Sequence, residues 1–410
     1  MTSTLRTPKL AYLVSAYPAI SHTFILREVA QLRALGHRIV TASINRPDRA
    51  LAQMDPHERA EAERTYVVKP HGVVGALAAL LFWALHAPLA LLAMLRFGLR
   101  LRSGGKAWWS GGAYAVEAAM VARWMHRERA RHLHVHFGNA GASVGVLVKR
   151  LTGCHLSVTI HGPDEFDEVG GQHLALKMCE ADAVVCISQF ARGQLMRITD
   201  PAHWGKFRVC RLGVEPDRFR FALRNPGPLT QLLCVGRLTP AKGQILLVRA
   251  VARLRAAGVR CHLTLVGAGP DRGRIESEIA ALGLGHDVTL TGALTQDQVR
   301  ERFGRADIFV LPSLAEGIPV VLMEAMSCGV PCVTTPVNGI PELVLHEQTG
   351  LLATPGDVAS LAARLRQLIE QPALRHTLAL AAREKVRRDF DLHRNVVALG
   401  GIFSAFPQAR

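Results

Sequence analysis

Short apolar runs alternate with amphipathic stretches along most of the chain. In the first half the runs are residues 10–15, 38–43, 133–137, 157–160 and 183–187. In the second half they are residues 231–235, 262–266, 287–290, 308–311 and 331–335. Each is short and rich in aliphatic side chains, as a strand buried on both faces should be. The stretches between them place apolar residues at helical spacing, as in 23–35, which Gly36 closes. Strands that alternate with helices predict parallel sheets covered on both faces. The series restarts after Arg211-Leu-Gly-Val-Glu-Pro-Asp-Arg-Phe219 and Asn225-Pro-Gly-Pro228, which is linker chemistry. The expected fold is therefore α/β, with two doubly wound, Rossmann-like domains facing a cleft. Ligands should bind where strand carboxyl ends meet that cleft. The expected divisions are residues 1–215, 216–385 and a C-terminal helix in 386–410 that returns to the first domain.

One segment departs from this rhythm. Residues 72–95 contain no Asp, Glu, Lys or Arg. Arg96, Arg100, Arg102 and Lys106 follow at once, then Trp108 and Trp109. The length could span a bilayer, yet His86 and Pro88 in the middle divide it into two short helices. An interfacial hairpin, an ordinary buried helical pair and a true span are the three readings. The basic flank favours a hairpin on an anionic membrane surface, within an insert at 72–101.

At 410 residues, the chain is long enough for two domains with ample cores. The formal charge of +16 raises the question of nucleic acid. No zinc-finger spacing, aromatic RNA-binding signature or heptad repeat accompanies it, so nucleic acid is not the expected partner. The eight cysteines form no CxxC pair, which predicts reduced thiols and a cytoplasmic setting. The start is too soon broken by Pro18 to read as a signal peptide.

Candidate chemistry gathers at strand ends. After 308–311 comes Pro312-Ser-Leu-Ala-Glu316-Gly317-Ile318-Pro319, then a helix that carries Glu324 and stops at Gly329 and Pro331. After 331–335 comes Asn338-Gly339, with another helix start at Pro341. Both loops run from a strand end into a helix N-terminus, where unpaired amides and the helix dipole favour anions. Glu316 and Glu324 suit such a place only if they hold hydroxyls. A phosphate beside a polyhydroxyl group describes a nucleotide sugar. Strand 231–235 ends in Gly236-Arg237, with Lys242-Gly243 beyond, two cations that can converge on a diphosphate. Gly267 and Gly269 repeat a glycine turn after a strand and would allow a ligand's close approach.

In the first half, His161 follows a strand directly and lies beside Gly162-Pro163-Asp164-Glu165. His132, His134 and His136 alternate along a strand, so they share one face, with no carboxylate nearby in sequence to suggest a metal. Tyr17, Ser21 and His22 lie in the loop after the first strand, and with Asn139 and Asp164 they are candidate acceptor-side residues. No Asp-x-Asp motif stands at a strand end, so no metal or other cofactor is expected.

Glu316 and Glu324, with seven residues between them, resemble the E-x7-E motif of the retaining glycosyltransferases of family 4, which have the GT-B fold. Gly236-Arg237, Lys242-Gly243 and Asn338-Gly339-Ile340-Pro341-Glu342 match that family in order and spacing. Ser15-Ala-Tyr-Pro18, Ser21-His-Thr-Phe24, His136-Phe-Gly-Asn139 and His161-Gly-Pro-Asp-Glu-Phe166 are similar to its exopolysaccharide branch, including the colanic-acid and amylovoran types. The resemblance implies transfer from a nucleotide-diphosphate sugar in exopolysaccharide or cell-surface polysaccharide synthesis. The apolar segment with its basic flank adds the expectation of a lipid-linked saccharide acceptor and a peripheral place on the inner face of the plasma membrane. The resemblance also implies that Arg237 and Lys242 neutralise the diphosphate, with Gly236, Gly267 and Gly269 in the donor-binding loops. Glu324 would hold the ribose, Glu316 the donor sugar with the amides of Gly317 and Ile318, and His161 would contact that sugar. Where many relatives carry a Gly-Gly pair after the first strand, this chain has Ser15-Ala-Tyr-Pro18. Another GT-B enzyme, such as a nucleotide-sugar 2-epimerase, and a non-catalytic membrane-associated scaffold are the competing readings.

Overall fold

The computed structural model describes residues 9–19, 22–101, 110–167, 169–170, 172–225 and 227–406. They fall into two compact units, one running to Cys210 and resuming at Arg394, the other being Arg211–His393.

The strands of the first unit are β1 (Leu10–Ala16), β2 (Ile39–Asn45), β3 (Tyr66–Val67), β4 (His132–His136), β5 (His155–Ile160), β6 (Ala183–Cys186) and β7 (Phe207–Val209). They pair in parallel in the order β3-β2-β1-β4-β5-β6-β7. Its helices begin with α1 (Thr23–Ala34), α2 (Pro56–Arg64), α3 (Gly72–His86), α4 (Pro88–Gly98) and α5 (Ser110–Glu128). They continue with α6 (Ala140–Thr152), α7 (Asp164–Asp167), α8 (Leu174–Glu180) and α9 (Gln189–Ile198). The second unit has β8 (Thr230–Val235), β9 (Cys261–Val266), β10 (Val288–Gly292), β11 (Ile308–Leu311), β12 (Cys332–Thr334) and β13 (Leu351–Leu352). These too are parallel, in the order β10-β9-β8-β11-β12-β13. Its helices are α10 (Gln244–Ala256), α11 (Arg272–Ala281), α12 (Gln296–Phe303), α13 (Val320–Ser327), α14 (Ile340–Leu343), α15 (Val358–Glu370) and α16 (Pro372–Asp389). The last helix, α17 (Leu392–Ser404), leaves the second unit and enters the first.

Strand order reverses between β1 and β4 in one sheet and between β8 and β11 in the other. Loops leaving two such neighbours depart toward opposite faces of the sheet, which opens a crevice at the strand ends. The central strands read as apolar runs because helices cover both faces: every residue of β11 is fully buried. The two-residue strands β3 and β13 and the three-residue β7 were not anticipated. Runs that short carry no periodicity to read.

The histidines of β4 do share one face, and α17 covers it. The Phe403 ring lies 4.8 Å from that of His134 and 5.4 Å from that of His132. The apolar segment folds as the helices α3 and α4, broken at Ala87 and Pro88, and packs on α5 and α6. Ala79, Trp83, Met94 and Phe97 are buried there, and the Trp83 indole donates to the Ala119 carbonyl at 3.1 Å. The other side exposes Val73, Val74, Leu77, Leu81, Leu85 and Leu89. No helix among the described residues is long and apolar enough to cross a membrane. The spanning reading fails on length: the 15 residues of α3 reach roughly 22 Å, against about 30 Å of hydrocarbon. Arg102, Lys106, Trp108 and Trp109 lie outside the described residues.

Replacing Phe403 with Ala should open a cavity over the β4 histidines and destabilise the first unit by about 3 kcal/mol. Denaturant unfolding checks this, and an unchanged midpoint would mean that α17 adds little to the first unit.

Candidate active site

In the second unit the reversal point lies between β8 and β11, and two oppositely charged side chains meet there. Lys242, in the loop after β8, places its ammonium 2.5 Å from Oε1 of Glu316, in the loop after β11. The Ser313 hydroxyl donates to the same oxygen at 2.7 Å. Glu316 is 7% exposed, so its charge needs these partners. The loops are also joined through the backbone, Leu314 N–H to the Ala241 carbonyl at 2.7 Å. Directly beyond these loops start α10 and α13, each without a side-chain cap. Their first amides are the orphan donors that make a helix N-terminus an anion site. Arg237 is exposed, and its guanidinium has no partner among the described residues. Gln244 pins the loop beneath it by donating to the Arg237 carbonyl at 2.8 Å. Glu324 lies half-buried on α13.

Glycines let these loops stack on one another. A Cβ on Gly267 would come 2.0 Å from the Gly236 carbonyl oxygen, and one on Gly269 would come 2.2 Å from that of Leu238. Gly339 meets the Gly317 carbonyl in the same way, at 2.3 Å. What Gly267 and Gly269 admit is therefore the neighbouring loop, where the sequence suggested the close approach of a ligand.

The first unit's reversal point carries a denser polar network. Asn139 caps α6, accepting from Gly141 N–H at 2.9 Å and from the Ser15 hydroxyl at 3.2 Å. The buried Glu165 carboxylate accepts from the amides of Gly138, His161 and Gly162, tying the loops after β4 and β5 together. Burial raises its pKa, and those three amides and Lys177 oppose the rise. Lys177 is almost fully buried and donates to the Gly138 and Asn139 carbonyls. Burial lowers its pKa to about 7, with Glu165 pulling the other way.

His161 is 7% exposed, and its Nε2 lies 2.8 Å from Nδ1 of His136. His136 Nε2 lies 3.2 Å from Glu28 Oε1, which also accepts from the Tyr12 hydroxyl at 2.8 Å. Burial, reinforced by neighbouring imidazoles, keeps the pKa values of His134 and His161 well below the usual histidine range. Glu28, His134 and His136 have potential ligand atoms within 4.8 Å of one another. Both His134 nitrogens, however, already face hydroxyls, Ser157 at 2.8 Å and Thr159 at 3.1 Å.

A family model described as "Glycosyl transferases group 1" matches residues 216–385. Over 409 residues the chain is 31% identical to the amylovoran biosynthesis glycosyltransferase AmsK of Erwinia amylovora, covering 94% of this chain and 96% of that one. The chain belongs to the group 1 glycosyltransferases. This group 1 enzyme is also 28% identical to the putative colanic acid biosynthesis glycosyltransferase WcaL of Salmonella typhimurium, over 93% of its own length and 96% of that protein's. Its fold is that of Anabaena HepE, solved in complex with UDP and glucose. The TM-score is 0.73 at 19% identity, covering 97% of this chain and 100% of that one. The two parallel, Rossmann-like units are those of the GT-B fold.

Within the group 1 chain, the candidate residues divide by place. Lys242, Glu316, Gly317 and Ile318 stand together in the second unit. His161 stands in the first unit's network, with Asn139 acting there as a helix cap. Asp164 is exposed at the start of α7. Tyr17 was read as acceptor-side, but it is 1% exposed, with a pKa raised by burial and then by Glu61. Its ring is core. His22 packs against Phe137 at a tilt, 4.8 Å between ring centroids, and Ser21 lies outside the described residues. Glu28, His136 and Lys177 were missed as site residues. Nothing in their spacing links them, because three separate elements bring them together.

Lys177 has a signature in pH. Between pH 7 and its ordinary value of 10.5, the unfolded chain holds a proton on Lys177 that the folded chain has released. Stability from this group therefore rises with pH across that window. Thermal melts should show wild type gaining on Lys177→Met between pH 6.5 and 9. A constant difference would place the ammonium in solvent.

Proposed function

We propose that this glycosyltransferase is a retaining, family 4 enzyme of exopolysaccharide or cell-surface polysaccharide synthesis. It moves a sugar from a nucleotide-diphosphate sugar to a lipid-linked saccharide. The observation that carries the reading is the Lys242–Glu316 pair, set beside two uncapped helix N-termini, with Arg237 exposed nearby. A cation near amide donors suits a diphosphate, and a carboxylate within its reach suits the hydroxyls of the attached sugar. The names of AmsK and WcaL support the pathway. The complex of HepE with UDP-glucose supports the donor class.

In the proposed reaction the bond between the anomeric carbon and the diphosphate oxygen breaks, and the nucleoside diphosphate leaves with the electron pair. The acceptor hydroxyl attacks from the same face and gives its proton to a leaving phosphate oxygen. Negative charge grows on that diphosphate, where Lys242, Arg237 and the helix amides stabilise it. Glu324 binds ribose, Glu316 and the amides of Gly317 and Ile318 hold the sugar, and His161 contacts it. The cations take the part that a divalent metal plays elsewhere, so turnover needs no metal and survives chelation.

The exposed face of α3 and α4 supplies the route to a lipid-linked acceptor. Its stripe of Val73, Val74, Leu77, Leu81, Leu85 and Leu89 is flanked by the exposed Arg96 and Arg100. In this reading it rests in the cytoplasmic leaflet, apolar side chains among the acyl chains and arginines at anionic headgroups.

Nucleoside diphosphate release from a panel of UDP- and GDP-sugars, with a lipid-linked saccharide as acceptor, tests the activity. Lys242→Ala and Arg237→Ala should each lower turnover by about 2–4 kcal/mol of transition-state stabilisation while the fold stays intact. Near-normal release by both variants would remove the diphosphate assignment. Glu324→Gln should raise the donor's KM more than it lowers kcat, because ribose is held equally in ground and transition states. Glu316→Gln should lower kcat as well, since it alters the partner of Lys242. The reverse pattern would exchange the two roles. Leu81→Glu combined with Leu89→Glu should abolish flotation with anionic vesicles and leave nucleoside diphosphate binding unchanged. Equal flotation would place the membrane contact elsewhere.

A further inference from the structure

The first unit holds a line of polar groups that ends in an unanswered atom. From Tyr12 on β1 the line passes to Glu28 on α1, to His136 on β4 and to His161 after β5. His161 Nδ1 is buried and has no hydrogen-bond partner among the described residues. The ring packs against Phe24 at 4.9 Å and Phe137 at 4.5 Å between centroids.

The direction of each hydrogen bond follows from what each group can do. A carboxylate only accepts, and the Tyr12 hydroxyl donates to Oε1 of Glu28. The proton of His136 is then placed on Nε2, facing that same oxygen at 3.2 Å, a contact short of full hydrogen-bond geometry. With Nε2 protonated, a neutral His136 has only a lone pair at Nδ1. The neighbouring His161 Nε2, 2.8 Å away, must therefore carry the hydrogen. That leaves His161 Nδ1 as a bare acceptor. The same bookkeeping argues against a metal at Glu28, His134 and His136, because hydroxyls occupy both His134 nitrogens.

We propose that Glu28 and His136 are positioning residues that fix the tautomer of His161, so that it offers the transferred sugar an acceptor and selects a hydroxyl there. The ligand half of this statement rests on the glycosyltransferase reading above; the tautomer half rests on the first unit alone. A hydroxyl can donate to Nδ1, whereas a carboxylate or a deoxy position cannot. Burial keeps His161 neutral, as the role requires. The other titratable groups around it are His22 before α1, His134 on β4, and Glu165, which holds the His161 amide rather than its ring.

The test uses the full chain with 15N-labelled histidine, and long-range proton–nitrogen spectra at pH 7.5. His136→Asn and His161→Asn identify the two signals. His136 and His161 should each be a single tautomer with hydrogen on Nε2. Glu28→Gln, which keeps an acceptor at that oxygen, should retain this state, and Glu28→Leu should turn both rings into mixtures. Hydrogen on His161 Nδ1 in the wild type overturns the relay, and so does an unchanged spectrum in Glu28→Leu. Should Glu28→Leu fail to fold, the wild-type tautomer still decides. With donor turnover as a second readout, Glu28→Leu should lose about tenfold of the preference for a hexose over its deoxy counterpart, and Glu28→Gln should restore it. Correct tautomers in a chain that binds none of the UDP- and GDP-hexoses would sustain the relay and defeat the functional reading. His161 protonated at Nδ1 in a chain that turns over donor would do the opposite.

Discussion

The ion pair of Lys242 and Glu316 sets the terms for the second unit. Glu316 is nearly buried, and an unpaired carboxylate there would cost several kcal/mol. Lys242 and Ser313 meet that demand, and Lys242 thereby binds the loop after β8 to the loop after β11. These strands are neighbours whose connections leave on opposite sides, so without a tie their loops would diverge. The pair thus joins the loops at the reversal point, with the ammonium partly exposed and the carboxylate nearly buried. In the proposed function an anionic ligand would compete with Glu316 for Lys242, so that the structural link yields to substrate.

The first unit solves the same geometrical problem with different chemistry. At its reversal point the tie is Glu165, accepting three amides, with Lys177 holding two carbonyls from the other side. The Lys177 ammonium is deeper than that of Lys242, and both charges hold backbone groups. This is a scaffold for His161, and the phenylalanines around it pack against the ring. One reversal point is therefore tied by an ion pair between side chains, and the other by a carboxylate and an ammonium that hold backbone groups.

Much of this was legible in the chain because parallel strands have to be apolar on both faces. The run at 308–311 and the loop to Glu316 could be read directly, as could the glycine stop at Gly329. The β4 histidines were placed on one face by alternation alone. Their cover, Phe403 on α17, comes from more than 250 residues away, and no local pattern announces it. Gly267 and Gly269 read from the sequence as close-approach positions, and the backbone of the neighbouring loop lies against both. Tyr17 was misplaced because a tyrosine in a loop after a strand reads as accessible, whereas this loop turns inward beside Ser43. Glu28 was invisible since a lone glutamate on an amphipathic helix reads as solvated. Its burial becomes apparent only when β1 and β4 are set beside α1.

The central claim is that Lys242 trades Glu316 for the diphosphate of a nucleotide sugar, and calorimetric titration addresses it most directly. UDP, UMP, GDP and GMP would be titrated into wild type and Lys242→Met at two salt concentrations. The account predicts that wild type binds one diphosphate at least tenfold more tightly than its monophosphate, by a charge-assisted hydrogen bond that salt weakens. In Lys242→Met that preference should vanish while the monophosphate affinity stays. Equal preference in both proteins, or no binding of either diphosphate by wild type, would contradict it.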